Sequence, residues 1–169
     1  EGLDAGAAVE RAERDERVGP PGGAFDEASA LDLIARAGAQ AAAAGRVVMI
    51  ETTVLDITAG QPAISHIEAA LAAGLHAITA NKGPVAFAYR RLSQLADRMD
   101  RGFFFEGTVL DGIPIFNFVR ETLPVVTVTG FRGIVNSTTN HILTAMEARR
   151  EFEDALVEMQ AAGIAEADA

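Results

Sequence analysis

One lysine stands in this sequence, Lys82, within the run Ile78-Thr79-Ala80-Asn81-Lys82-Gly83-Pro84. A β-branched apolar stretch leads in from His76, and a proline-started helix leads out. The run therefore reads as the carboxyl end of a strand, a tight turn and a helix start. In an open α/β sheet that edge is where ligands bind. An ammonium there is either a solvated surface charge or a working group.

Other candidate groups are weaker. His66, His76 and His141 show no metal-ligand spacing and read as surface or core-edge residues. The run Ser137-Thr138-Thr139-Asn140 could hold a polar ligand, although a helix cap accounts for Ser137 alone. Between Glu106 and Ile113, Gly107 and Gly112 lie among backbone carbonyls beside a carboxylate. That is either a hard-cation turn or a plain linker. Glu166 and Asp168 could grip a substrate ammonium or be two solvated acids. There is no cysteine, and so no thiolate chemistry or disulfide framework. No nucleophile elbow, Walker loop or dinucleotide glycine fingerprint occurs; Gly19-Pro20-Pro21-Gly22-Gly23 follows no strand.

The elements that would position these groups are legible in order. The 169 residues suffice for one domain or parts of two, and half of them are hydrophobic. A net charge of −10 argues against nucleic acid and anionic membrane as partners. No run reaches transmembrane length, and no signal peptide is visible, so the expected location is cytoplasmic. Glu1 to Val18 suggests a short surface helix. Ala28 to Ala44 predicts a helix stopped at Gly45. Val47 to Ile50 predicts a strand buried on both faces, as in a parallel sheet. Pro62 starts a helix with Ile64, Ile67 and Leu71 on one face. Ala77 to Thr79 and Phe103 to Phe105 are further strands, separated by a helix carrying Val85, Ala88, Leu92, Leu95 and Met99. This alternation means βαβ units.

After Phe105 the pattern changes. A helix is expected from about Ile113 to Thr122, capped by Asp111. A long β-branched stretch, Val125 to Val135, implies mixed α/β structure. Ser137 is expected to cap a helix with Ile142, Leu143 and Met146 inward, and a last helix carries Phe152, Ala155, Leu156 and Met159. The fold expected is α/β: residues 1–105 as part of a doubly wound (Rossmann-type) dinucleotide-binding domain, and residues 106–169 as part of a mixed α/β substrate and dimerisation domain.

From Ile50 onward the chain resembles the homoserine dehydrogenase family. The stretches that carry the resemblance are Gly60-Gln61-Pro62-Ala63, Thr79-Ala80-Asn81-Lys82-Gly83-Pro84, Glu106-Gly107-Thr108-Val109 with Asp111-Gly112, Phe131-Arg132-Gly133, Asn136-Ser137-Thr138-Thr139-Asn140 with Ile142-Leu143, and Gly163-Ile164-Ala165-Glu166-Ala167-Asp168. They follow the family's order and spacing over roughly two thirds of the chain. The resemblance implies an NAD- or NADP-dependent interconversion of L-homoserine and L-aspartate 4-semialdehyde, in a homodimer. It implies that Lys82 is catalytic and lies beside the cofactor, that Thr53 contacts the cofactor, and that Glu166 holds the substrate. It further implies a sodium or potassium ion at Glu106, Val109, Asp111 and Ile113. The family's glycine-rich phosphate loop and second catalytic lysine have no counterpart here, and Ala169 stands where the family has proline. The resemblance therefore implies an interior segment, with these 169 residues inactive alone. The alternative is an inactive homologue that only dimerises or binds ligand.

Overall fold

A computed structural model describes residues 26–44, 47–110 and 112–165. Its centre is a parallel sheet built from two βαβ crossovers. Strand β1 (Val48–Glu51) is followed by helix α2 (Ala63–Ala72), then β2 (His76–Thr79), helix α3 (Lys82–Met99) and β3 (Phe103–Phe104). Helix α1 (Glu27–Ala44) precedes them. The three strands pair in the order β1-β2-β3. All pairing is parallel, with Glu51 opposite Thr79 and Ala77 opposite Phe103. Parallel neighbours require a crossover segment, and the apolar faces of α2 and α3 supply it.

Those faces make the core. Ile64, Ile67 and Leu71 of α2 pack with Ala88, Leu92 and Ala96 of α3 against Ala77, with Met49, Leu95 and Phe103 at the margin. Leu71 and Leu92 are fully buried, each stabilising the fold by about 1.5–3 kcal/mol. Gly74, at φ 81°, ends α2 in the left-handed region. Helix α1 lies outside α2, where Ile34 meets Ala70 and Leu75. The approach is close: a Cβ on Gly38 would stand 2.6 Å from the Ala73 Cβ and 2.8 Å from its carbonyl oxygen.

The expectation that Val47 to Ile50 is buried on both faces is corrected here. The pleat turns Met49 toward the helices but leaves Ile50 69% exposed, and Val48, Ile78 and Phe104 are exposed too. Among the described residues only one face of the sheet is covered, because α2 and α3 lie on the same side.

Beyond β3, Phe105 ties the sheet to the second half of the chain. Its ring lies 5.5 Å from Tyr89 and 5.2 Å from Phe116, distances typical of edge-on aromatic pairs. A 3-10 turn, Glu106–Thr108, leads to helix α4 (Ile115–Asn117), whose end widens into a π turn at Phe118–Thr122. The helix expected from Ile113 thus starts slightly later. Asp111, expected to cap it, lies outside the described residues, as do Glu1 to Val18 and the Gly19 to Gly23 loop.

Val125 to Val135 forms no strand. β propensity expresses packing on a pleated surface, and no partner strand is paired with this stretch among the described residues. Val125 is 94% exposed and Phe131 83%. Helices α5 (Ser137–Glu147) and α6 (Phe152–Ala161) close the chain as a hairpin around Ile142, Ala145 and Ala155. Leu143 and Met146, expected inward, are exposed, and so is Phe152. Asn136, not Ser137, caps α5: its side chain accepts the Thr139 amide at 2.8 Å. Ser137 is the first helical residue.

The contact at Gly38 has a measurable consequence. Gly38→Ala is expected to lower stability by about 1–3 kcal/mol through overpacking. Gly130→Ala, where nothing lies within 4 Å of the added atom, should be silent. Urea unfolding of both variants checks the contrast.

Candidate active site

The carboxyl ends of β1 and β2 carry two turns that are locked to each other. Glu51, the last residue of β1, is buried although ionisable. Its Oε1 accepts the Thr53 amide and the Thr53 hydroxyl, both at 2.6 Å. Its Oε2 accepts the Thr79 hydroxyl, also at 2.6 Å. The Thr79 oxygen in turn accepts the Asn81 amide at 2.9 Å. Asn81 closes the ring by donating from Nδ2 to the Thr53 carbonyl at 3.2 Å. Its Oδ1 accepts the Gly83 amide at 3.0 Å, which makes Asn81 the cap of α3. The buried carboxylate is thus supplied with donors on both oxygens, as burial demands.

Lys82 is the first residue of α3, directly after this cap. Two glycines let the surrounding loops close. Gly60 has φ 71°, and a Cβ on Gly83 would come within 2.8 Å of the Gly60 Cα. The two glycine-containing motifs, Gly60-Gln61-Pro62 and Lys82-Gly83-Pro84, are therefore one backbone contact in space. Asp56 organises the loop before Gly60. Its carboxylate accepts Thr58, Ala59 and Gln61 amides and the Thr58 hydroxyl. The Thr58 hydrogen bonds, ahead of the Gln61 and Ala59 amides, draw its pKa down to about 2.

Lys82 borders a cleft of about 590 Å³, walled by Val85, Val109, Leu110, Ile134 and Val135 and closed by Asn136 and Ser137. That size and mixture, apolar walls with a few polar groups, is what small-ligand sites present. The fold thus brings Lys82 to the Asn136-Ser137 run from a distant part of the sequence. Thr53 is exposed beside Lys82's cap, with its hydroxyl committed to Glu51.

The turn after β3 is built differently from a simple linker. The Glu106 carboxylate accepts the Phe116 amide at 2.8 Å and the Asn117 amide at 3.0 Å, satisfying the first amides of α4. Val109 lines the cleft, and Ile113 is exposed. Asp111 and Glu166 lie outside the described residues. No group of three or more His, Asp or Glu suited to a metal ion occurs among the described residues.

None of the three histidines lines the cleft. His76 Nδ1 accepts the Gly102 amide at 2.8 Å. His66 is buried on α2. His141 stands 3.8 Å from Glu158. No described helix is long and apolar enough to cross a membrane.

A lysine at a helix start, above the carboxyl edge of a parallel sheet and beside an apolar cleft, belongs to an α/β protein of Rossmann-like build, a class in which ligands bind at that edge. Comparison with known proteins narrows the class. The homoserine dehydrogenase family model matches residues 114–169. The homoserine dehydrogenase of Methanocaldococcus jannaschii is 36% identical over 169 residues, covering 99% of this chain and 48% of that protein. The NAD(+)-dependent homoserine dehydrogenase of Pseudomonas canavaninivorans is 40% identical over 124 residues, 73% of this chain and 35% of that protein. A hyperthermophilic archaeal homoserine dehydrogenase solved with NADPH superposes with a TM-score of 0.59 at 33% identity, covering 72% of this chain and 36% of that one. The chain belongs, over the stretch it spans, to the homoserine dehydrogenase family. It spans less than half the length of these relatives.

The depressed Asp56 pKa sets a pH dependence. A carboxylate whose folded pKa lies below its ordinary 3.8 contributes stability that is present above that value and fades as pH falls toward about 2. Acid titration followed by NMR should find the Thr58 and Gln61 amides shifting together near that pH. In Asp56→Asn the transition should vanish.

Proposed function

We propose that the protein carrying this chain is a homoserine dehydrogenase, interconverting L-homoserine and L-aspartate 4-semialdehyde with NAD or NADP. Its product would feed threonine, methionine and isoleucine biosynthesis in the cytoplasm. The observation that carries the reading is Lys82 at the start of α3, facing a cleft of suitable size together with Asn136 and Ser137. The relatives' names support both cofactors, one NAD(+)-dependent and one bound to NADPH.

The cleft suits the nicotinamide end of a dinucleotide. Val85, Val109 and Val135 offer apolar contact, while Lys82 and Asn136 supply polar groups. Bound nicotinamide supplies the hydride acceptor or donor. Lys82 supplies the electrostatics: as the substrate hydroxyl gives up its proton, negative charge grows on oxygen, and an ammonium beside it would stabilise that charge, releasing one of its own protons to water and taking up the hydroxyl's in exchange. Thr53, next to the Asn81 cap, would meet the cofactor from the opposite turn, and Glu166 would hold the substrate ammonium.

The remaining roles rest on the same reading. Residues up to about Phe105 belong to the dinucleotide-binding domain, and those from Glu106 to the substrate and dimerisation domain. The turn from Glu106 through Val109 and Asp111 to Ile113 would take a sodium or potassium ion on oxygen ligands alone. The exposed Val125, Val128, Phe131 and Ile134 form an apolar stretch of the kind that marks an interface, and a second copy of the chain would cover it.

Three measurements test this. In the enzyme that carries this chain, Lys82→Ala is expected to lower kcat by about 10²- to 10⁴-fold while changing cofactor affinity little. Lys82→Arg should not restore it, since a guanidinium is bulkier and does not release its proton. Full activity in Lys82→Ala would return the lysine to the role of a surface charge. The same assay should respond to exchange of sodium or potassium for a bulky organic cation, and indifference would remove the ion. Light scattering should report a dimer at micromolar concentration; a monomer would exclude the interface.

A further inference from the structure

We propose that Glu51 and Thr79 are positioning residues for Lys82: a buried hydrogen-bonded ring sets the start of α3 and thereby the place of the ammonium at the cleft. The inference rests on the reading of Lys82 as the group that acts on the substrate oxygen, and it adds Glu51, from a different strand, and gives Thr79 of the lysine's own motif a role.

The ring has a specific construction. Glu51 is 3% exposed and Thr79 2%, so neither side chain serves solvent. The carboxylate has no basic partner within ion-pairing distance among the described residues; its contacts are the Thr53 amide and hydroxyl and the Thr79 hydroxyl. A hydrophobic pair at adjacent strand ends would cost less to bury than a carboxylate. What the carboxylate adds is direction. It accepts from Thr79, so the Thr79 hydroxyl proton points at Glu51 and its lone pairs face the Asn81 amide. That orients Asn81, whose two side-chain atoms tie the β1 turn to the first turn of α3 through the Thr53 carbonyl and the Gly83 amide. Lys82 is the peptide unit held between Asn81 and Gly83. Its backbone is fixed on both sides, while its side chain stays exposed to the cleft.

A misplacement of even about 1 Å at a catalytic group can cost roughly 100-fold in rate. Loosening the ring should therefore appear in kcat before it appears in binding.

The decisive variants are Thr79→Val, which keeps the shape but removes the hydroxyl, Thr79→Ser, which keeps the hydroxyl, and Glu51→Gln, which replaces one acceptor oxygen by a donor. They are made in the enzyme that carries this chain, alone and combined with Lys82→Ala. Thr79→Val and Glu51→Gln are expected to lower kcat by roughly 10- to 100-fold with KM for both substrates nearly unchanged, and to lower the melting temperature by a few degrees, since each leaves a buried polar group without its partner; rates are compared at a temperature where every variant is fully folded. Thr79→Ser should recover most of the rate. The double variant Thr79→Val/Lys82→Ala should be no slower than Lys82→Ala, because residues that act through one another do not add. A kcat within about twofold of the parent in Thr79→Val would overturn the proposal and leave the role of Lys82 intact. Additive losses, or a rate loss that Thr79→Ser does not recover, would make the ring merely structural and overturn it as well, as would failure of both Thr79→Val and Glu51→Gln to fold. Lys82→Ala at full activity would remove both readings together.

Discussion

The carboxylate of Glu51 is the constraint on which the site depends. A buried acid must find donors or be expelled, and the donors nearest to the end of β1 are those of its own turn and of the adjacent strand. Parallel register makes this possible, since Glu51 lies directly opposite Thr79. Satisfying one carboxylate thereby aligns two turns, and the second turn begins the helix that carries Lys82. Parallel pairing, helix capping and placement of the ammonium are consequences of the same few hydrogen bonds.

Close backbone approach does the rest. Gly60 and Gly83 meet where side chains could not fit, and Asp56 holds the loop that delivers Gly60. On the other side of the cleft, Glu106 saturates the first amides of α4, and Phe105 packs between Tyr89 and Phe116. Lys82, Asn136 and Ser137 are polar residues at the cleft between these two turns.

Among the described residues, two apolar surfaces are exposed: the face of the sheet bearing Val48, Ile50 and Phe104, and the stretch from Val125 to Val135. Both are β-rich in composition. Both mark places where the structure departs from the reading of the sequence. A continuous apolar run signals burial on both faces, but burial needs a second layer, and none of the described elements supplies it for β1. A β-branched run signals a strand, but a strand needs a neighbour to pair with.

The sequence by itself determined the local elements and singled out Lys82 as a candidate. Periodicity and breakers placed α1, α2, α3 and the three strands, because spacing of apolar residues and Gly or Pro stops act within a few residues of one another. A lone lysine between a strand end and a helix start was visible for the same reason. The motif order carried the family resemblance. Tertiary structure decided which distant groups share the site. The ring of Glu51, Thr79, Asn81 and Thr53 depends on strand register, and neither acid nor threonine advertises its burial in the sequence; the only local hints are a polar residue ending an apolar run and an asparagine two before a glycine. The cap of α5 also moved by one residue, from Ser137 to Asn136, because both are good caps and only the path of the preceding chain selects between them. Long-range register and the direction of a connecting loop are set by the packing of the whole chain, so no local pattern encodes them.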